Sequence, residues 1–148
     1  MKYVKANDGF YYYVDREEIT WAEARERCAS SIKGARLAVV DTEEACEAVK
    51  GAIGQIGSNG GQGAWLSASD EDEEGKWQWI MKEGQEEIFL PLTNGFTYWA
   101  DGNPIAKDNT EKNCLIWTRS GWKDLQCGAK RKSLCQFPYS GWYSMVFK

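Results

Sequence analysis

Apolar residues follow a helical rhythm over residues 20–30 and 41–53 of this chain and fall in short, strand-like bursts elsewhere. Tyr11-Tyr12-Tyr13-Val14 predicts a first strand, ended by the polar run Asp15-Arg16-Glu17-Glu18. Thr20-Trp21-Ala22-Glu23 is a capping box, in which the Thr hydroxyl takes an orphan amide and the Glu side chain reaches back. Trp21, Ala24 and Cys28 continue one helical face and predict a helix over about 20–30. Past Gly34, Arg36-Leu37-Ala38-Val39-Val40 has the composition of a short buried strand. Asp41 with Glu44 repeats the capping signature and opens a second helix, whose apolar stripe is Ala45, Val49, Ala52 and Ile53. The glycine-rich stretch 54–63 reads as a loop, since no Lys-Ser/Thr follows it as a phosphate-binding loop requires. After Ala64-Trp65-Leu66-Ser67-Ala68 only short runs remain, such as Trp77-Gln78-Trp79-Ile80 and Cys114-Leu115-Ile116-Trp117. Two helices early, strands late and no alternating βαβ pattern predict one α+β domain over residues 1–148.

Composition changes this picture in one respect. The 43% hydrophobic and 27% charged contents are ordinary, but eight Trp, seven Tyr and five Phe are heavy usage, available to a core or to a binding face. The net charge of −4 offers no bulk attraction for nucleic acid or an anionic membrane, and Lys130-Arg131-Lys132 is short enough to be a solvated face. No apolar run approaches the roughly 18 residues of a membrane-spanning helix, and Met1–Lys5 opens no signal-like stretch. A soluble chain is expected, with neither nucleic-acid binding nor membrane insertion; a mature or excised domain reads the same way.

Five cysteines, at 28, 46, 114, 127 and 135, avoid Cys-x-x-Cys spacing, so disulfides are the leading reading. Two bridges and one free thiol allow about fifteen arrangements, and spacing alone does not choose among them. Residues 46, 49 and 53 share a helical face, so Cys46 is expected as a buried free thiol rather than a reactive or intermolecular one. The absence of histidine removes Ser-His and Cys-His catalysis and His-bound zinc. A glycosidase-like carboxylate pair is the remaining enzymatic alternative, and it is distant, because the acidic residues cluster without a predicted cleft to raise one pKa.

In order along the chain, Trp21, Cys28, Leu37, Trp65-Leu66-Ser67-Ala68, Asp70, Glu74-Gly75, Trp77, Trp79, Trp99, Pro104, Cys114, Trp122, Asp124, Cys127 and Cys135 resemble the C-type lectin-like domain. The match runs from about Tyr11 to Phe137; Tyr139–Phe147 extends beyond it as an apolar tail, expected to pack on the early Tyr-rich strand or to make an oligomer contact. The resemblance implies a double-looped α+β domain, two helices packed on antiparallel sheets and braced by disulfides, whose long second loop carries the ligand site. It also implies bridges Cys28–Cys135 and Cys114–Cys127, with Cys46 free. As the family's extra N-terminal cysteine pair is missing, the chain resembles the short form.

Sugar-binding members of the family hold calcium through a Glu-Pro-Asn or Gln-Pro-Asp motif, a Glu shortly before a cysteine, and Trp-Asn-Asp. Here the matching positions read Asn103-Pro104-Ile105, Lys112 with Glu111 beside it, and Trp122-Lys123-Asp124. Calcium wants six to eight oxygens, so Ile105 and two ammonium groups oppose it at this primary position. A lysine is expected to neutralise Asp124 or Glu111 in its place. A second family calcium position is matched better by Asp70 and Glu74, with Asp108, Asn109 and Glu111 as replacement ligands, although 70–74 also reads as a solvated acidic turn. Asp70, Glu74, Asn103, Glu111 and Asp124 are thus the candidate metal ligands, and calcium is the one candidate cofactor. The wider ligand face is expected to draw on Tyr98, Asp101, Asn103, Asp108, Asn109, Glu111, Trp117, Lys123 and Asp124, while Trp65, Trp77, Trp79 and Trp122 are expected to pack. The resemblance implies a non-enzymatic, extracellular or cell-surface module that recognises a protein or glycan largely without calcium. The alternative is a calcium-dependent lectin; neither ligand identity nor oligomeric state is legible.

Overall fold

The computed structural model describes residues 3–55, 63–83, 86–92, 95–104 and 112–139. Its elements are β1 (Val4–Lys5), β2 (Phe10–Ile19), α1 (Trp21–Ser31), β3 (Arg36–Leu37), α2 (Glu43–Gln55), β4 (Ala64–Ser69), β5 (Gln78–Glu83), β6 (Glu86–Pro91), β7 (Cys114–Thr118), β8 (Gly121–Leu125) and β9 (Arg131–Pro138). The α+β class holds, with two helices followed by strands. No helix among the described residues is long and apolar enough to cross a membrane.

Local signals explain the start of α1. Thr20 accepts from the Glu23 amide at 3.3 Å while the Glu23 carboxylate accepts the Thr20 amide at 2.9 Å, completing the capping box. The expected cap of α2 is displaced by one residue: Thr42, not Asp41, accepts from the Ala45 amide at 3.0 Å. The helix opens at Glu43, so Thr42 is the residue beside its first turn. This helix also takes in Gly54 and Gln55, the first two residues of the expected glycine-rich loop, while residues 56–62 lie outside the described residues.

β2 does not end at Asp15. It runs on to Ile19, paired with β9 through Asp15↔Ser133 and, after a register shift, Ile19↔Arg131. Asp15 is buried at 8% exposure and its carboxylate is ion-paired to the Arg27 guanidinium on α1, which lets a polar residue stay in the strand. Conversely, only Arg36 and Leu37 of the expected 36–40 strand pair with β9. Residues 38–40 are buried instead as a connector, with Ala38 donating to the Leu134 carbonyl at 2.9 Å and accepting from the Ser67 amide at 2.8 Å.

The main path of strands is β1-β2-β9-β4-β5-β6, with β7 joined to β4 and β8 joined to β7. The β4–β9 contact is parallel, through Ala64↔Lys132 and Trp65↔Ser133. Helix α1 buries Trp21, Ala24 and Cys28 against Tyr13, Leu37, Trp65 and Cys135. Helix α2 buries Ala45, Cys46, Val49, Ala52 and Ile53 in the larger core with Leu66, Trp79 and Trp122. Trp65, Trp79 and Trp122 are at most 1% exposed. Each removes roughly 150–250 Å² from water, an upper-bound gain on the order of 4–6 kcal/mol per ring before entropy. Disulfides Cys28–Cys135 and Cys114–Cys127 both lie in the cluster against α1, whereas Cys46 is a buried free thiol in the larger core.

Gln136 on β9 ties the N-terminal strands to the connector. At 1% exposure, its Oε1 accepts from Arg36 Nε at 2.7 Å and from the Val39 amide at 3.0 Å, while its Nε2 donates to the Tyr12 hydroxyl at 3.2 Å. Tyr12 in turn donates to the Asp8 carboxylate. Of the apolar tail, Tyr139 is described: its hydroxyl reaches the Ala6 carbonyl at 2.9 Å and its ring lies 5.3 Å from Tyr11 on β2. Residues 140–148 lie outside the described residues.

Candidate functional site

The long loop leaves the core at residues 98–100, which run as an added rung on β8. Trp122 donates to the Tyr98 carbonyl at 2.7 Å and Ala100 donates to the Trp122 carbonyl at 2.9 Å. Gly121 makes this approach feasible: a Cβ there would meet Ala100 N and Tyr98 O at 2.7 Å, and its φ of +129° suits only glycine. The chain then turns through Asp101 and Gly102 to a cis Asn103-Pro104 bond. Asn103 donates from its backbone to the Ala100 carbonyl at 3.0 Å and from Nδ2 to the Asp101 carbonyl at 3.2 Å, while its Oδ1 is buried with no hydrogen-bond partner among the described residues.

On β8, Asp124 is 4% exposed and Lys123 is half-buried. Successive residues of a strand face opposite sides, so the lysine and the aspartate leave β8 in opposite directions. Among the described residues, neither Lys123 nor Lys112 lies within ion-pairing distance of a carboxylate. The expected lysine replacement of calcium is therefore not made at Asp124 by these two groups. Asp101 is exposed, and Asp108, Asn109 and Glu111 lie outside the described residues.

The second cluster is more fully enclosed. Asp70 follows β4 at 1% exposure, donates its amide to the Asn113 carbonyl at 3.1 Å and accepts the Gly75 amide on Oδ2 at 2.9 Å. Its Oδ1 is buried with no hydrogen-bond partner among the described residues, and both Glu74 carboxylate oxygens in the same turn are shielded from solvent. A buried carboxylate oxygen without a donor is costly, and an oxygen-seeking cation supplies what it lacks. Asp70 Oδ1, with the Glu74 carboxylate in the same turn, therefore fits calcium chemically, whereas Asn103, Ile105, Lys112 and Lys123 offer one side-chain oxygen among them.

Residues 17–137 match the family model of the lectin C-type domain. The chain belongs to this family. Among its relatives, salivary C-type lectin 2 of Aedes albopictus is 31% identical over 84% of this chain and 82% of its own length. Hepatic lectin of Gallus gallus is 24% identical over 88% of this chain and 56% of its own length, so the chain spans about half of that protein. Human lithostathine shares the fold with a TM-score of 0.72 at 22% identity, covering 91% of this chain and 88% of its own.

In this C-type lectin domain an aromatic cluster supports the long loop. Trp99 meets Trp77 at 5.3 Å and Trp122 at 5.7 Å, both edge-on, and Trp79 meets Trp122 at 5.3 Å. Trp65, Trp77, Trp79 and Trp122 are all buried, as expected of core residues. Trp117 is only 4% exposed, stacked beneath Tyr98 at 5.4 Å, and so presents little surface to a ligand. Tyr98 is half-buried and is covered from α2 by Lys50, whose ammonium lies 4.6 Å from the ring centroid and 2.9 Å from Glu47. The hydrogen bond to Glu47, then that to Tyr98, hold the Lys50 pKa above its ordinary value. Sequence reasoning had no means of finding Lys50: it sits on the polar side of a helix about fifty residues from the ring it caps.

Proposed function

We propose that this C-type lectin domain is a non-enzymatic, single-domain recognition module, acting outside the cell, that takes a protein or glycan on its long-loop face without calcium at the Asn103–Asp124 position. The carrying observation is the donor set at that position. Asn103 and Asp124 are the side-chain oxygens left among its matched motifs, Ile105 contributes none, and Lys123 and Lys112 replace two more. That falls well short of the six to eight oxygens of a calcium shell. Two disulfides suit an oxidising compartment, in keeping with kinship to a salivary lectin. Recognition then rests on Tyr98, Asp101, Asn103 and Lys123, with Asp108, Asn109 and Glu111 as loop contributors.

A second reading is favoured by Asp70 Oδ1: a calcium ion held by Asp70 and Glu74 would brace the loop without touching the ligand. Thermal melting in calcium against chelator separates the readings. Calcium at 100 times its dissociation constant stabilises by about 2.7 kcal/mol. With calcium bound at Asp70, Asp70→Asn abolishes the rise in melting temperature and Asp124→Asn preserves it. No rise in the wild type eliminates the second reading alone, whereas a rise lost in Asp124→Asn and kept in Asp70→Asn defeats the first. Glycan-array binding in both conditions then tests ligand class; binding that requires calcium counts for the calcium-dependent lectin.

A further inference from the structure

Outside that site, a groove of about 860 Å³ runs between α1, β3 and the β5–β6 hairpin. Its volume lies within the range of about 300–1,000 Å³ typical of small-molecule sites. Ala22 and Ala29 present no bulk from the helix, and Leu37, Ile80 and Met81 supply apolar wall. The groove is bridged at its rim by the Arg25–Glu87 ion pair.

Arg36 in the same lining is chemically unlike Arg25. Half-buried, it spends Nε on the neutral Gln136 amide at 2.7 Å and places its guanidinium carbon 5.3 Å from the Phe10 ring centroid. Among the described residues no carboxylate lies within 4.0 Å of it, and its Nη atoms make no hydrogen bond. Asp41 acts on it only at longer range. A guanidinium with its paired donors available is suited to a bidentate carboxylate. With Arg25 already paired to Glu87, Arg36 and Glu26 are the remaining charges of the lining, which suits a monoanion better than a dianion.

We propose that this groove binds a single-chain amphiphilic carboxylate, a medium-chain fatty acid, with its head group forked onto the Arg36 Nη atoms and its chain along Ala29, Leu37, Ile80 and Met81. The site is independent of the long loop and of calcium. The test is an NMR titration of the ¹⁵N-labelled chain in chelator with decanoate below its micelle threshold. Saturable shifts are expected at Ala22, Ala29, Leu37, Ile80 and Met81. Acetate, which lacks the chain, and decanol, which lacks the charge, should each bind at least tenfold more weakly. Arg36→Met should weaken decanoate at least tenfold, and so should Ala29→Phe, which fills the groove from an exposed helical position with little risk to the fold. Asp70→Asn should leave decanoate binding unchanged. Saturable shifts confined to other residues, no saturable shift at all, acetate or decanol binding as well as decanoate, or undiminished affinity in folded Ala29→Phe would each overturn the proposal.

Discussion

Replacing Gly121 by alanine tests whether the long loop is anchored by backbone contact rather than by its side chains. The new Cβ would lie 2.7 Å from Ala100 N and Tyr98 O and 2.9 Å from Ala100 Cα, all main-chain atoms. The same segments are joined by hydrogen bonds of 2.7 and 2.9 Å on either side of Trp122, so neither strand moves away without losing them. Holding alanine at φ +129° costs about 1–3 kcal/mol, and crowding adds about 1–3 kcal/mol, which gives an expected destabilisation of roughly 2–6 kcal/mol. With an unfolding entropy of about 0.3 kcal/mol/K for 148 residues, the melting temperature should fall by roughly 7–20 °C. Gly9→Ala is the control: its φ is also positive, at +96°, but a Cβ there meets nothing within 4 Å, so only the conformational cost applies. Urea unfolding without reductant measures both variants. If Gly121→Ala loses no more stability than Gly9→Ala, the close approach of residues 98–100 to β8 does not hold the loop.

Removing Cys28–Cys135, whose ends are 107 residues apart, should cost about 4.8 kcal/mol, and removing Cys114–Cys127, 13 apart, about 2.9 kcal/mol in the chain-entropy model; paired Ser variants compared by denaturant titration check the order. Burial pushes the Cys46 thiol up from its ordinary 9.0 to about 11 and raises Tyr12 above its ordinary value as well. Folding therefore favours the neutral forms. Their contribution is complete below about pH 9 and lost as pH climbs, Cys46's share between about 9 and 11. Denaturant midpoints across that range should fall, less so in Cys46→Ala, and Cys46 should resist thiol reagents at pH 8 until the protein unfolds. Asn103→Glu, Ile105→Asn, Lys112→Glu and Lys123→Asn together should create calcium affinity, read as a calcium-dependent rise in melting temperature in an Asp70→Asn background; a folded variant indifferent to calcium refutes the assignment of ligand positions.

Signals contained within one turn of chain were the most legible. Thr20 and Glu23 cap α1 because both partners lie three residues apart, and the stripe from Ala45 to Ile53 declares α2 because only one face is buried. Position within a cap was harder: Asp41 and Thr42 are both good capping residues, and it is the Thr42 hydroxyl that accepts the Ala45 amide. The continuation of β2 past Asp15 depends on Arg27 and Ser133, which no local pattern reports. β6 escaped notice for a different reason: it is an edge strand, largely exposed along both faces, so its residues do not alternate. At the site, the family likeness pointed to the motif positions Asn103-Pro104 and Trp122-Lys123-Asp124, while residues 105–111 lie outside the described residues. The relation of Lys123 to Asp124 was not legible, since their opposed directions follow from the pairing of β8 with β7.

The antiparallel pairing of Phe10 with Pro138 has a mechanical meaning. A force pulling the two outer ends of β2 and β9 apart opens the pair rung by rung like a zipper, beginning at Phe10 and Pro138. On the β9 side, peeling halts within a few residues at Cys135, and on the other side at Cys28, because the bridge between them passes the load directly. The chain enclosed by that bridge, including α2, β8 and the long loop, then carries no tension. A C-type lectin domain built this way passes a pull on these two ends through Cys28–Cys135 and not along the backbone of α2 or β8.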